Sequence, residues 1–297
     1  MRVDAPRISG ISLVNFQPKG GVMSASSTAT DSLTTIVQDL RTEGDELFAL
    51  LSDMDTGYWT EHSSFKHWTV WDVVAHLHLS DHMALTSLTS ADAFQTLMQD
   101  IRDAGMGPYT LTWLQRDDHS LTGPGLLERW YTTFGELCRA LASADPQARF
   151  VWAGPGMKAR MFATARQMEI WAHGWEIYDL MAIPRQHTDR LRNIAEIGVR
   201  TFGWTFANRS LEVPHEVPFV ELISPSGTQW TWNDPASEHR VTGNAVEFCQ
   251  VVTQVRNIAD TALTLEGDNA IAWMQIAQCF AGPPEEPPAP GSRIPDL

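Results

Sequence analysis

Val70-Trp-Asp-Val-Val-Ala-His76-Leu-His78-Leu-Ser-Asp81-His82 is the stretch on which the fold turns. Val70, Val73, Val74, Leu77 and Ala84 recur at the three- and four-residue spacing of a single helix face. Thr69 stands just before the run and Asp72 three residues after that threonine, so the two can form a Thr-x-x-Asp capping box. A helix is therefore predicted over 70–88. Three histidines and an acid within seven residues are more than a surface helix needs. His78 and His82, four apart, could ligate one ion together; His76 could instead join ligands from another helix. The helical wheel does not decide, because His76 and His78 lie on opposite edges of the apolar stripe.

Outward from this helix the pattern stays helical. Leu33, Ile36, Val37, Leu40, Leu47 and Leu50 mark an earlier helix, and Leu126, Leu127, Trp130, Phe134, Leu137 and Leu141 a later one over 124–142. A fourth runs over 159–181 and stops before Pro184, since the residue preceding a proline is pushed out of helical geometry. Four helices of this length suit a bundle, with a shorter helical stretch at 91–102. Past Pro184 the texture changes. A helix over 189–207 leads to Val217–Ile223 and Thr228–Trp232, which flank the turn Ser224-Pro-Ser-Gly227 and read as a β-hairpin. Helices at 243–260 and 268–280 close this half. The expected fold is α-rich, α+β overall: a bundle over 31–184, a smaller α+β domain over 185–282, and disordered ends. Residues 1–30 are small, polar and without period, with Met23 a candidate start, and 283–297 are proline-rich.

Thirty-six acids against twenty-one bases give a net charge of −15, which repels phosphate backbones and anionic lipid, so neither nucleic acid nor a membrane is expected as a partner. Three widely spaced cysteines, Cys138, Cys249 and Cys279, exclude a disulfide framework and a thiolate zinc site and favour a reducing compartment. With no span-length apolar run and no signal-peptide core at the start, the expected location is the cytoplasm.

The fourth helix carries Arg166-Gln-Met-Glu169-Ile-Trp-Ala-His173-Gly174. Glu169 and His173, four apart, lie one above the other on a face that also bears Phe162, Ala165 and Leu180. An acid and a histidine among apolar neighbours are costly to bury unpaired, and a divalent cation would resolve that cost. The competing reading is a solvated pair, salt-bridged by Arg166. Trp59, Trp68, Trp71, Trp171 and Trp175 crowd the same two helices in sequence, as core or as pocket wall.

Trp71-Asp-Val-Val-Ala-His76-Leu, followed by Arg166-x-x-Glu169-x-x-x-His173-Gly, resembles the mycothiol-dependent maleylpyruvate isomerase family, within the DinB-like bundle superfamily. The resemblance covers roughly 30–282 and implies a DinB-like four-helix bundle in which His76, Glu169 and His173 bind a divalent metal: zinc first, with nickel, iron, manganese or cobalt as other occupants. It further implies a low-molecular-weight thiol and a small-molecule substrate, the chain acting as a thiol-dependent isomerase or S-transferase. Two histidines and a carboxylate leave coordination positions open, as in catalytic sites. The same donor set suits a metal-dependent hydrolase, a non-haem iron oxygenase or a non-enzymatic metal- or ligand-binding module. A carboxylate-rich substrate would need arginine, for which Arg166 and Arg256 are the candidates, each with a surface salt bridge as the alternative. Arg256 resembles an arginine of the family's C-terminal domain, although Gln254-Val255 replaces the glycine usual before it.

Overall fold

The hydroxyl of Ser32 accepts the Thr35 amide at 3.2 Å and opens the first helix, α1 (Leu33–Ser52). Both halves of the predicted capping box are present at α2 (Val70–Thr89): the Asp72 amide donates to the Thr69 hydroxyl at 3.2 Å and the Thr69 amide to the Asp72 carboxylate at 2.8 Å. A short α3 (Ala91–Asp103) follows. Next, α4 (Gly123–Ala142) carries Pro124 in its first turn, where a missing donor costs least. Two-residue strands β1 (Arg149–Phe150) and β2 (Met157–Lys158) pair antiparallel and lead into α5 (Ala159–Leu180). This computed structural model describes residues 32–103, 121–154 and 156–293; the expectations for 1–30, Met23 included, lie outside them.

Helices α1 and α2 each pack on both α4 and α5, which makes the bundle. Leu40, Leu77, Trp130, Phe134, Leu137, Ile170 and Ile177 fill its core. Gly44 permits the α1–α4 approach, since a Cβ there would stand 2.2 Å from the Phe134 ring.

The second half is built on a four-stranded sheet of order β4-β3-β5-β6, from β3 (Phe219–Ile223), β4 (Gln229–Trp232), β5 (Arg240–Asn244) and β6 (Thr264–Glu266). The expected hairpin is β3–β4, in register from Val220↔Trp232 to Ile223↔Gln229; β3 and β5 run parallel, β5 and β6 antiparallel. Around it lie α6 (Arg192–Arg200), α7 (Phe202–Ala207), α8 (Ala245–Val252) and α9 (Asp268–Ile276). Their core joins Ile194, Val220, Leu222, Phe248 and Trp273 to Met168 and Trp171 of α5. Helix α5 thus lies in both cores, which is why its buried residues are spread round the helix rather than confined to one stripe.

Four expectations need correction. The helix expected over 189–207 is a 3-10 turn (Asp189–Leu191), then α6 and α7, broken at Thr201. The one expected over 243–260 begins as strand: Gly243 lies in β5 at φ +144°, and helix α8 ends at Val252, with Gln254 turning the chain at φ +58°. The helix expected over 268–280 ends at Ile276. The proline-rich segment, read as disordered, is held against the body as far as residue 293, though without helix or strand. Asn257 donates to Pro288 O (2.8 Å), Gln254 to Glu285 O (2.8 Å), the Gly291 amide to Asp260 (2.9 Å) and Arg293 to Gln254 O (3.1 Å). Proline removes donors but leaves carbonyls free to accept; the first two bonds use that capacity, and in the other two the segment donates.

Candidate functional site

The capping box starts α2 at a defined residue, and that places His76 on its second turn, facing α5. There, His76 Nε2 and His173 Nε2 each stand 3.4 Å from the same atom, Glu169 Oε2. One ligand atom from each of the three side chains lies within 4.8 Å of the other two. The imidazole centroids are 4.5 Å apart. Glu176, one turn beyond His173 on α5, approaches His173 Nδ1 with its Oε1 at 2.8 Å. With Nδ1–H donated to that carboxylate, Nε2 faces the other two residues and offers them its lone pair once the ring gives up its second proton, which is how second carboxylates orient metal-binding histidines.

Electrostatics follow the same geometry. Burial, helped by the His173 charge, lowers His76 to about 4, so it is neutral at physiological pH. Burial also opposes a charge on His173, but Glu176 and Glu169 outweigh it and raise that imidazole to about 9. Burial likewise opposes the charge on Glu169, yet hydrogen bonds from His173 and His76 hold it well below the usual carboxylate range. Burial pushes Glu176 up, against the pull of His173. One carboxylate and two imidazoles around one point fit a divalent cation in donor type.

The loop before α2 roofs the site. Lys66 and His67 both adopt left-handed backbone (φ +50° and +56°), in a turn closed by Trp68 N–H to Phe65 O (2.8 Å) and Ser63 N–H to Trp68 O (2.7 Å). This turn stacks Trp68 on His173 at 5.8 Å and sets Phe65 edge-on to it at 5.5 Å. Of the tryptophans weighed from sequence, Trp68 lines the cavity, whereas Trp59 and Trp171 are buried in the two cores. The triad opens into a cavity of about 340 Å³, walled by Phe65, Trp68, Met168, Ala172 and Glu176, by Thr253–Val255, and by residues of the proline-rich segment including Glu285 and Arg293.

Other candidates sit elsewhere. His78 is 5% exposed, and neither it nor His82 joins the cluster among the described residues. The expectation that Arg166 meets substrate is corrected by its burial: Arg166 Nε donates to Asp81 at 2.8 Å, and Trp130 Nε1 donates to the same carboxylate at 2.9 Å, deep between α2, α4 and α5. Arg256 is also committed, in a two-pronged bond to Asp179 at 2.7 and 2.6 Å, and it does not line the main cavity. Sequence reasoning missed Glu176 and Arg293. Glu176 carried a signal, an acid three residues after a candidate ligand on the same helix; Arg293 carried none.

Residues 40–178 match the family described as the mycothiol maleylpyruvate isomerase N-terminal domain. An uncharacterized protein of Mycobacterium tuberculosis strain CDC 1551 / Oshkosh is 37% identical over 249 residues, covering 84% of this chain and 96% of its own. Its counterpart in strain ATCC 25618 / H37Rv matches to the same extent. Among solved structures, that of the mycothiol-dependent maleylpyruvate isomerase aligns over 74% of this chain and 88% of the other, at 18% identity and a TM-score of 0.45.

Proposed function

Because this chain belongs to the mycothiol-dependent maleylpyruvate isomerase-like family, we propose that it is a thiol-dependent isomerase of a small molecule, with His76, Glu169 and His173 holding a divalent cation at its reaction centre. The observation that carries this reading is the meeting of two histidine Nε2 atoms on one Glu169 oxygen in the wall of a cavity. Zinc suits the donor set first, with nickel, iron, manganese or cobalt as alternatives. Such a cation, when bound, lowers the pKa of a thiol and steadies charge developing on a substrate oxygen.

The chain's own residues account for the rest. Glu176 fixes the His173 ring; Phe65 and Trp68 shield the site from bulk water, which strengthens every electrostatic contact inside it. The reacting thiol comes from outside. Cys138, Cys249 and Cys279 are all buried, none lines the cavity, and burial pushes all three thiols up, Cys138 to about 12.

The test is metal analysis of protein purified without a His-tag, followed by a screen of small thiols for cis–trans isomerisation of unsaturated diacids. Near-stoichiometric metal together with thiol-dependent turnover is expected. Metal-free protein that turns over, or metal-loaded protein indifferent to every thiol yet able to hydrolyse ester or amide substrates, would refute it.

A further inference from the structure

The proline-rich strap brings a cation to the cavity. The Arg293 guanidinium lies 4.8 Å from the centroid of the Phe65 ring, and that ring is the one set edge-on to His173. Arginine and metal-site histidine therefore share an aromatic neighbour. Of the five N–H donors of Arg293, the hydrogen bond found among the described residues uses one, from Nη1 to Gln254 O at 3.1 Å, and no described carboxylate forms a close ion pair with it, although Glu176 and Asp179 act on its charge from farther off.

The neighbouring cations are different. Arg166 is spent on Asp81, Arg256 on Asp179 and Arg185 on Glu43. Lys66, also on the cavity wall, holds Glu285 of the strap at 3.1 Å. A guanidinium over an aromatic face in a cavity wall is a receptor for a planar anion, because its fork matches both oxygens of a carboxylate.

We infer that Arg293 is the substrate-anion residue of this protein: it binds a carboxylate at one end of a small molecule whose other end reaches His76, Glu169 and His173. Only the second half of that statement rests on the proposed function; the anion subsite stands on the strap and the cavity.

The experiment is calorimetric titration of the full chain, zinc-loaded and metal-free, with maleate and with its uncharged diamide. Wild type, Arg293→Gln and Arg293→Lys are compared, with zinc content measured on the same samples. Charge-assisted bonds of this kind lead us to expect Arg293→Gln to weaken maleate by about tenfold or more and the diamide not at all, while Arg293→Lys recovers part of the loss. Maleate binding that survives Arg293→Gln overturns the inference, as does equal loss of maleate and diamide, which would mean a displaced strap. Wild-type protein that binds no maleate overturns it as well. Arg293-dependent maleate binding in protein that takes up no zinc would support the subsite while removing the metal reading.

Discussion

Glu169 is the side chain on which the other two ligands converge, so its loss is felt by both. Glu169→Gln keeps the shape but removes the negative charge that offsets a dication, and an amide oxygen is a poor ligand for these metals. His173→Ala removes one donor and leaves that charge. Both variants are expected to lose most bound metal while keeping wild-type circular dichroism, read by metal analysis beside far-ultraviolet spectra. Full metal occupancy in both would place the ion elsewhere. A second expectation concerns His78, buried on α2 and held down to about 4, first by burial and then by His82 and Arg129. Unfolded, it titrates near about 6.5. The unfolded state therefore binds the extra proton, so the stability tied to neutral His78 is whole above about pH 6.5 and is lost as pH falls through 4, by up to roughly 3 kcal/mol. His78→Leu should flatten that acid limb in urea titrations run at several pH values; identical limbs would disprove it. Glu169 and His173 could be paired from sequence because helix periodicity is local. Arg166 could not be placed, since its partner Asp81 comes from a different helix and only folding reveals the pair.

At the scale of elements, long amphipathic segments were legible and short ones were not. The capping box at Thr69 and the hairpin at Ser224–Gly227 are chemistry written within a few residues, and both are present. Strand β6 is three residues long and offers no period to read; β5 was hidden by the helical pattern that begins immediately after it. The strap was misjudged because proline content says only what the segment cannot form, not what its carbonyls can accept. Gln254 explains part of its anchoring. It occupies a left-handed position that glycine would fill without strain, but its side-chain amide donates to Ala277 O (3.0 Å) and Glu285 O (2.8 Å), bonds glycine could not make. Arg209 also donates to Glu285 O. Ending the chain after Gly282 removes both bonds to Glu285 O, those made by Pro288, Gly291 and Arg293, and one wall of the cavity. It is expected to lower Tm by roughly 5 °C in thermal denaturation, taking each bond at about 1 kcal/mol less the entropy regained. An unchanged Tm would return the segment to the status of a loose tail.

The whole molecule carries a net charge of −15, and its cavity wall sets Lys66 and Arg293 among Glu169, Glu176, Glu285 and Glu286, so an anionic ligand depends on a specific contact with Arg293 rather than on steering by the field. Among the described residues no helix is long and apolar enough to cross a membrane. Residues Asp31–Leu297 cluster as a single unit although they contain two hydrophobic cores, and the reason is α5, which contributes Phe162, Ile170 and Ile177 to one core and Met168 and Trp171 to the other. The ligands on α5 sit on the seam between those cores. Amide hydrogens record what this does to opening motions. If neither core can open without exposing a face of α5, the backbone amides of α1 and those of β3 and β5 should exchange with deuterium at one shared limiting rate. Zinc held on that seam should slow them together, by the linkage that its affinity and free concentration set. Protection confined to the bundle on adding zinc would show instead that the sheet half breathes on its own.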